Sequence, residues 1–302
     1  MIMMKEIIIF TVLIQITCQF KPIIFMHGII SGPAEADFLI STLKKVHPGT
    51  NITSINAYNK QDSFAPVWEQ VLNITKIVKP IMDSNPGGIH LICFSQGGLI
   101  CRGLLSMLEH NVDTFIALSC PLAGQYSDTD YLKFFFPTFI KETIYKYFYT
   151  KNGQKWSIAN YWRDPHHFDL YQEYSAYLYK LNSIQSSSYK DNFLRLKKMV
   201  LIGGPNDGVI TPWQSSHFGF YDENEDIKKM RDQEIYETNL TNMFVCCFLT
   251  VPLELYYLQD TFGLKTMDSR KAIDTHVIPG VKHVHWYRNI TVFNQYIEPY
   301  LT

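Results

Sequence analysis

Short apolar runs alternate along this chain with longer stretches in which apolar side chains recur at every third or fourth position. Pro22 to Met26 is the first run and ends in His27-Gly28, and Ala34 to Val46 then carries Phe38, Leu39, Leu43 and Val46 at helical spacing. The pairing repeats. Ile52 to Tyr58 reads as strand, Pro66 to Met82 as a helix with proline in its first turn, and Ile89 to Phe94, after Pro86-Gly87-Gly88, as a buried strand. Gln96 to Leu108 follows as helix and Phe115 to Leu118 as strand. Strands alternating with helices predict a mostly parallel sheet with helices on both faces.

From Gly124 to about Arg195 the alternation stops and the chain becomes aromatic and irregular, with Trp156, Asn160-Tyr161-Trp162 and Asp164-Pro165-His166-His167. This stretch, about 124–195, reads as an inserted, mainly helical cap. The core resumes at Met199 to Ile202, before Gly203-Gly204-Pro205-Asn206-Asp207-Gly208; a last strand is expected at Ile273 to Ile278 and a last helix from about Ile290. The apolar run Met243 to Val251 stands in otherwise polar surroundings and marks a possible insertion at about 238–256. It is shorter than the roughly 20 residues that span a bilayer. A second lid element, a buried helix and sequence absent from the mature product all fit it.

At the N-terminus, Lys5 precedes an apolar stretch from Ile7 to Ile16 and polar residues up to Gln19. The stretch is about half the roughly 20 residues of a membrane span, so residues 1–19 read as a secretory signal cleaved near Cys18 or Gln19, leaving 20–302 as a single domain. Acceptor sequons at Asn51, Asn73, Asn239 and Asn289 agree with that route, towards a lysosomal or secreted product. With 27 basic and 28 acidic side chains scattered along the chain, neither a nucleic-acid groove nor a polybasic membrane patch is expected. Removing Cys18 would leave five of six cysteines, an odd count that forbids complete internal pairing. Cys93 and Cys101 bracket a strand-turn-helix, where a disulfide and two small buried hydrophobes fit the spacing equally; Cys246 and Cys247 read as free. No histidine or cysteine cluster has ligand spacing, so no metal and no cofactor are expected.

Chemistry concentrates at Ile92-Cys93-Phe94-Ser95-Gln96-Gly97-Gly98. A serine at a sharp strand-to-helix turn presents its hydroxyl at the carboxyl edge of a sheet, although Cys93 stands where the usual motif has its first glycine. Order supports the reading. Ser95, then Asp207 after a later strand, then a histidine before the final helix is the order of an α/β-hydrolase triad. His276 lies within a strand-like alternation; His283 and His285 share the loop beyond Gly280, and spacing does not separate them. His166 and His167 read as polar residues lining or covering the cleft. After His27-Gly28 the chain turns across the top of the sheet, where the amides of Ile29 and Gln96 would donate to an oxyanion.

These residues resemble the palmitoyl-protein thioesterases, and within them the second lysosomal subtype. The resemblance rests on Phe94-Ser95-Gln96-Gly97-Gly98, the run from Asp128 to Lys133, Asn160-Tyr161-Trp162, Asp164-Pro165-His166-His167, Leu201 to Pro205, Gly208 to Ser216, and Phe262 to Thr266. It implies Ser95, Asp207 and His283 as the triad, Ile29 and Gln96 as oxyanion donors, and Cys93 bonded to Cys101. It also implies hydrolysis of a long-chain fatty acyl thioester through an acyl-enzyme, with transient contact to lipid or acylated protein. A lipase or carboxylesterase acting on oxygen esters, and a non-catalytic binding module on the same fold, are the alternative readings. Cysteines of that subtype are absent near Phe148, Ala159, His276 and Tyr296.

Overall fold

Leu91, Cys93, Phe115, Ala117, Met199 and Leu201 pack into one hydrophobic core, while Ile92, Phe94, Ile116, Leu118, Val200 and Ile202 pack into another. Successive side chains of a strand point to opposite faces, so these unbroken apolar runs require cover on both sides. A computed structural model describes residues 20–129, 132–133, 137, 140–183, 187–231 and 260–301 and accounts for that cover. The strands are β1 (Ile23–Met26), β2 (Ile52–Ser54), β3 (Ile89–Phe94), β4 (Val112–Leu118), β5 (Lys198–Gly203), the hairpin β6 (Phe220–Tyr221) and β7 (Ile227–Lys228), and β8 (Ile273–Val277). Six of them form one sheet in the order β2-β1-β3-β4-β5-β8, every neighbouring pair parallel.

Helices α2 (Val67–Asp83) and α3 (Gln96–Met107) cover the first face through Val71, Ile74, Val78, Leu99 and Leu104. The second is covered by α1 (Asp37–Val46), through Leu39 and Leu43, and by the C-terminal helical segment, through Val292, Phe293 and Ile297. The fold is therefore the α/β arrangement expected from the alternation. Some boundaries differ. Pro66 is the residue before α2, not part of its first turn. Strand β2 stops at Ser54, after which the chain leaves the sheet and the Ala57 carbonyl turns to the ring of His27. Strand β4 starts earlier than its apolar run, at Val112, because its polar side chains are satisfied. Asp113 meets Lys21 and Lys197, each at 2.5 Å, and Thr114 donates to the Tyr300 carbonyl at 3.2 Å.

Between β4 and β5 lie the short helices α4 (Tyr145–Phe148), α5 (Ser157–Tyr161), α6 (Phe168–Tyr174), α7 (Leu178–Ser183) and α8 (Ser187–Leu194). Their aromatic side chains are largely spent on packing. Trp162 meets Tyr126 and Phe148 at ring separations of 5.2 and 5.6 Å, and Tyr149, Tyr171 and Tyr177 are buried in the same core. Among the described residues no helix is long and apolar enough to cross a membrane. Residues 1–19 with Cys18 and Gln19, the stretch 238–256 with Asn239, Cys246 and Cys247, and Tyr131 lie outside the described residues.

Candidate active site

In a parallel sheet all strands end on one edge, and here every strand of the six-stranded sheet except the outer β2 delivers a polar group there. His27 to Ile29 follow β1, Ser95 follows β3, Ser119 follows β4, Asp207 lies four residues past β5, and His283 lies in the loop after β8. Crevices at the carboxyl ends of such strands are where ligands bind in this architecture.

Ser95 sits at φ 53°, ψ −128°, a left-handed conformation that costs a side-chain-bearing residue of order 1–3 kcal/mol. Its N–H is held by the Leu118 carbonyl at 3.0 Å, and the turn hands the chain directly to α3. Close approach makes the following glycine necessary. A Cβ on Gly97 would lie 2.5 Å from the His27 carbonyl oxygen and 2.6 Å from that of Met26, both backbone atoms. Gly97→Ala is expected to lower stability by about 1–3 kcal/mol by forcing α3 from β1. Thermal unfolding checks this, and an unchanged Tm would show that the two backbones separate without cost. Cys93 and Cys101 are disulfide-bonded across the same turn, and Cys120 is buried beside it with a free thiol.

His283 Nε2 lies 3.0 Å from Ser95 Oγ, and its Nδ1 lies 2.9 and 3.0 Å from the two oxygens of Asp207. The His283 N–H also donates to the Asp207 carbonyl at 2.9 Å, so backbone and ring are both tied to the aspartate. All three side chains are buried. A turn of 3-10 helix over His283–His285 buries His283 and leaves His285 exposed. On β8, His276 bonds Tyr300 of the C-terminal segment, while His166 bonds Glu225, and His167 bonds Asp164 and stacks on Tyr145. His27 is buried against Gly28, Ala57 and Asn59.

Asp207 is the most heavily bonded group of the site. Besides His283 it accepts from Ser119 Oγ and Trp286 Nε1, both at 2.6 Å, and from the N–H groups of Val209 and Ile210 at 3.0 and 2.7 Å. Burial alone would raise its pKa, but the bonds from His283, Ser119 and Ile210 outweigh burial and hold it at about 2. Ser119 and Trp286 were not legible beforehand. A serine at a strand end and a tryptophan near a histidine carry no pattern that separates them from packing residues. Among the described residues, the N–H groups of Ile29 and Gln96 donate to no other protein group, and both belong to the turns that flank Ser95.

A parallel sheet with helices on both faces, carrying serine, histidine and aspartate in one hydrogen-bonded line at its carboxyl edge, defines a serine hydrolase of the α/β-hydrolase fold. The family model for palmitoyl protein thioesterase matches residues 22–283, and the chain belongs to that family. Family membership makes it a thioester hydrolase. It is 47% identical over 297 residues to lysosomal thioesterase PPT2-B of Xenopus laevis, covering 96% of this chain and 96% of that one. Lysosomal thioesterase PPT2 of Homo sapiens is 44% identical over 289 residues, covering 94% of this chain and 89% of that one. The PPT2 homolog of Drosophila melanogaster is 36% identical over 293 residues, covering 95% and 94%.

Proposed function

We propose that the chain hydrolyses long-chain acyl thioesters, palmitoyl-CoA or S-palmitoylated peptides, with Ser95, His283 and Asp207 as its catalytic triad. The observation that carries this reading is the continuous line from Ser95 Oγ through both ring nitrogens of His283 to Asp207. Ser95 Oγ attacks the thioester carbonyl as His283 Nε2 takes its proton. Collapse of the tetrahedral intermediate expels the thiolate, which receives that proton, and leaves an acyl-enzyme. Water, deprotonated by His283, then attacks the acyl carbonyl and frees the fatty acid and Ser95. The amides of Ile29 and Gln96 hold the oxyanion in both halves. A thiol of pKa roughly 8.5 is a good leaving group, so oxyanion stabilisation weighs more than protonation of the leaving atom.

The acyl chain lies against the helical segment between β4 and β5, which meets the site where the Tyr161 hydroxyl donates to Gln96 Oε1 at 3.2 Å. Relatives named lysosomal, together with the apolar N-terminal stretch, support entry to the secretory pathway and residence in the lysosome. Asn51, Asn73 and Asn289 are the glycan acceptors on described residues, with Asn239 a fourth beyond them.

The test is turnover of a palmitoyl thioester and of the matched oxygen ester by purified protein, with fluorophosphonate labelling of the wild type and of Ser95→Ala. Faster thioester turnover, with turnover and label both lost in Ser95→Ala, is expected. Preference for the oxygen ester would move the enzyme to the lipase and carboxylesterase class. Absence of both turnover and label would point to a binding module.

A further inference from the structure

Ser63 is fully buried in the loop ahead of α2, far in sequence from every residue of the triad, yet it joins all the elements around the oxyanion position. Its hydroxyl accepts the Ile30 N–H at 2.7 Å and donates to the Lys60 carbonyl. Its own carbonyl accepts from Gln96 Nε2 at 2.9 Å, Gln70 Nε2 at 2.8 Å and Ser157 Oγ at 3.0 Å. One residue thus touches the loop after β1, the first residue of α3 and the helical segment that carries Tyr161.

The bond to Ile30 stands out because of that residue's backbone. Ile30 is β-branched and sits at φ 61°, a conformation that L side chains rarely adopt and that must be held by its surroundings. The Ile30 N–H is in the peptide plane that follows Ile29. Fixing that plane limits rotation about Ile29 and so aims the Ile29 N–H. Nearby, the Lys60 N–H donates to the Ser31 carbonyl at 2.8 Å, and His27 bonds Ala57 and Asn59, so the loop carrying Ser63 is docked on the oxyanion loop at three further points.

We infer that Ser63 is the positioning residue of the oxyanion site: its hydroxyl fixes the peptide plane between Ile29 and Ile30 and so aims the Ile29 amide at the carbonyl oxygen of the substrate. It touches no reacting atom. The inference rests on the assignment of Ile29 and Gln96 as oxyanion donors. Loss of a donor itself typically costs about 10²–10³-fold in kcat, and a misaimed donor is expected to cost about tenfold or more.

Ser63→Ala removes the hydroxyl and keeps the backbone carbonyl, so the Gln96, Gln70 and Ser157 bonds remain available. The expected result is a fall of about tenfold in kcat with KM within about twofold, and a parallel weakening of a palmityl trifluoromethyl ketone, whose adduct with Ser95 carries an oxyanion. Binding of a non-cleavable palmityl thioether, which develops no oxyanion, should stay within about twofold. Ser63→Thr, which restores a hydroxyl, should recover most of the ketone affinity. Unfolding midpoints and fluorophosphonate titration of active sites normalise each rate to folded enzyme. Unchanged kcat and ketone affinity in Ser63→Ala, while Ser95→Ala is inactive, would overturn the role of Ser63 alone. Equal weakening of ketone and thioether would also overturn it, as general damage to the pocket. Activity surviving in Ser95→Ala would instead overturn the functional reading beneath it.

Discussion

Asp207→Asn is expected to lower kcat on a palmitoyl thioester by about 10⁴-fold and to destabilise the fold by about 1–3 kcal/mol. The rate effect follows from the ring of His283, whose Nδ1 faces both carboxylate oxygens while Nε2 faces Ser95. An amide that donates to Nδ1 forces the proton onto Nε2, where it can no longer accept one from the serine. The stability effect follows from the other partners. Ser119, Trp286 and two backbone N–H groups all donate to this carboxylate, and an amide has only one accepting oxygen for them. Because Trp286 Nε1 and Ser119 Oγ meet the same oxygen, Oδ2, and the backbone groups meet Oδ1, either orientation of asparagine leaves buried donors facing its NH2. Single-turnover kinetics and urea unfolding measure the two effects separately. A loss in kcat below tenfold would remove Asp207 from the triad, and unchanged stability would mean that the site rearranges around the amide.

Acidification from pH 7 to pH 5 is expected to cost about 6 kcal/mol of folding stability through three histidines outside the active site. Burial, helped by the charge of Lys21, lowers His90 to about 4; burial, helped by Arg195, does the same for His110; burial dominates at His217, whose Nε2 is enclosed. In the unfolded chain each titrates near 6.5. Between these values the unfolded state binds the extra proton, so the stability these groups contribute is complete above about pH 6.5 and is lost as pH falls towards 4. Each accounts for about 2 kcal/mol at pH 5. Asp207 has the same sign in a lower window: its contribution is present above the ordinary carboxylate range and is lost as pH falls through about 2. Asp207 therefore stays ionised at pH 5. Urea denaturation at both pH values provides the check. His110→Asn, which keeps an acceptor for the Val112 N–H but does not titrate, should remove about a third of the pH dependence. Equal stability at both pH values would show that the three rings are solvated or protonated in the folded protein.

The central strand, its turn and its helix were legible because their signals are local. The apolar run Ile89 to Phe94 is the observed strand, and the residues after it carry both the turn and the helix. Strand ends were less legible where polar residues are satisfied across the sheet, as at Asp113 and Thr114, or where chemistry pulls the chain out of it, as at Ala57. The aromatic stretch after Gly124 announced helices, but whether its rings line a cleft or pack on each other was decided by the neighbours of Trp162.

Ser95, Asp207 and the loop of His283 and His285 follow from chain order alone, since a parallel sheet must deliver successive strand ends to one edge. Which of two histidines two residues apart faces that edge depends on a single turn of 3-10 helix and on the bond from its N–H to Asp207, which no spacing encodes. Ser119, Trp286 and Ser63 belong wholly to the tertiary structure. Each serves the site through a partner 33 to 88 positions away, and hydrogen bonds over such separations arise only when strand register and loop docking bring the groups within about 3 Å. The sequence by itself thus determined the sheet, its covering helices and the order of serine, aspartate and histidine along the chain, because periodicity and strand direction are properties of neighbouring residues. The shell that aims those groups was decided only when distant segments packed together.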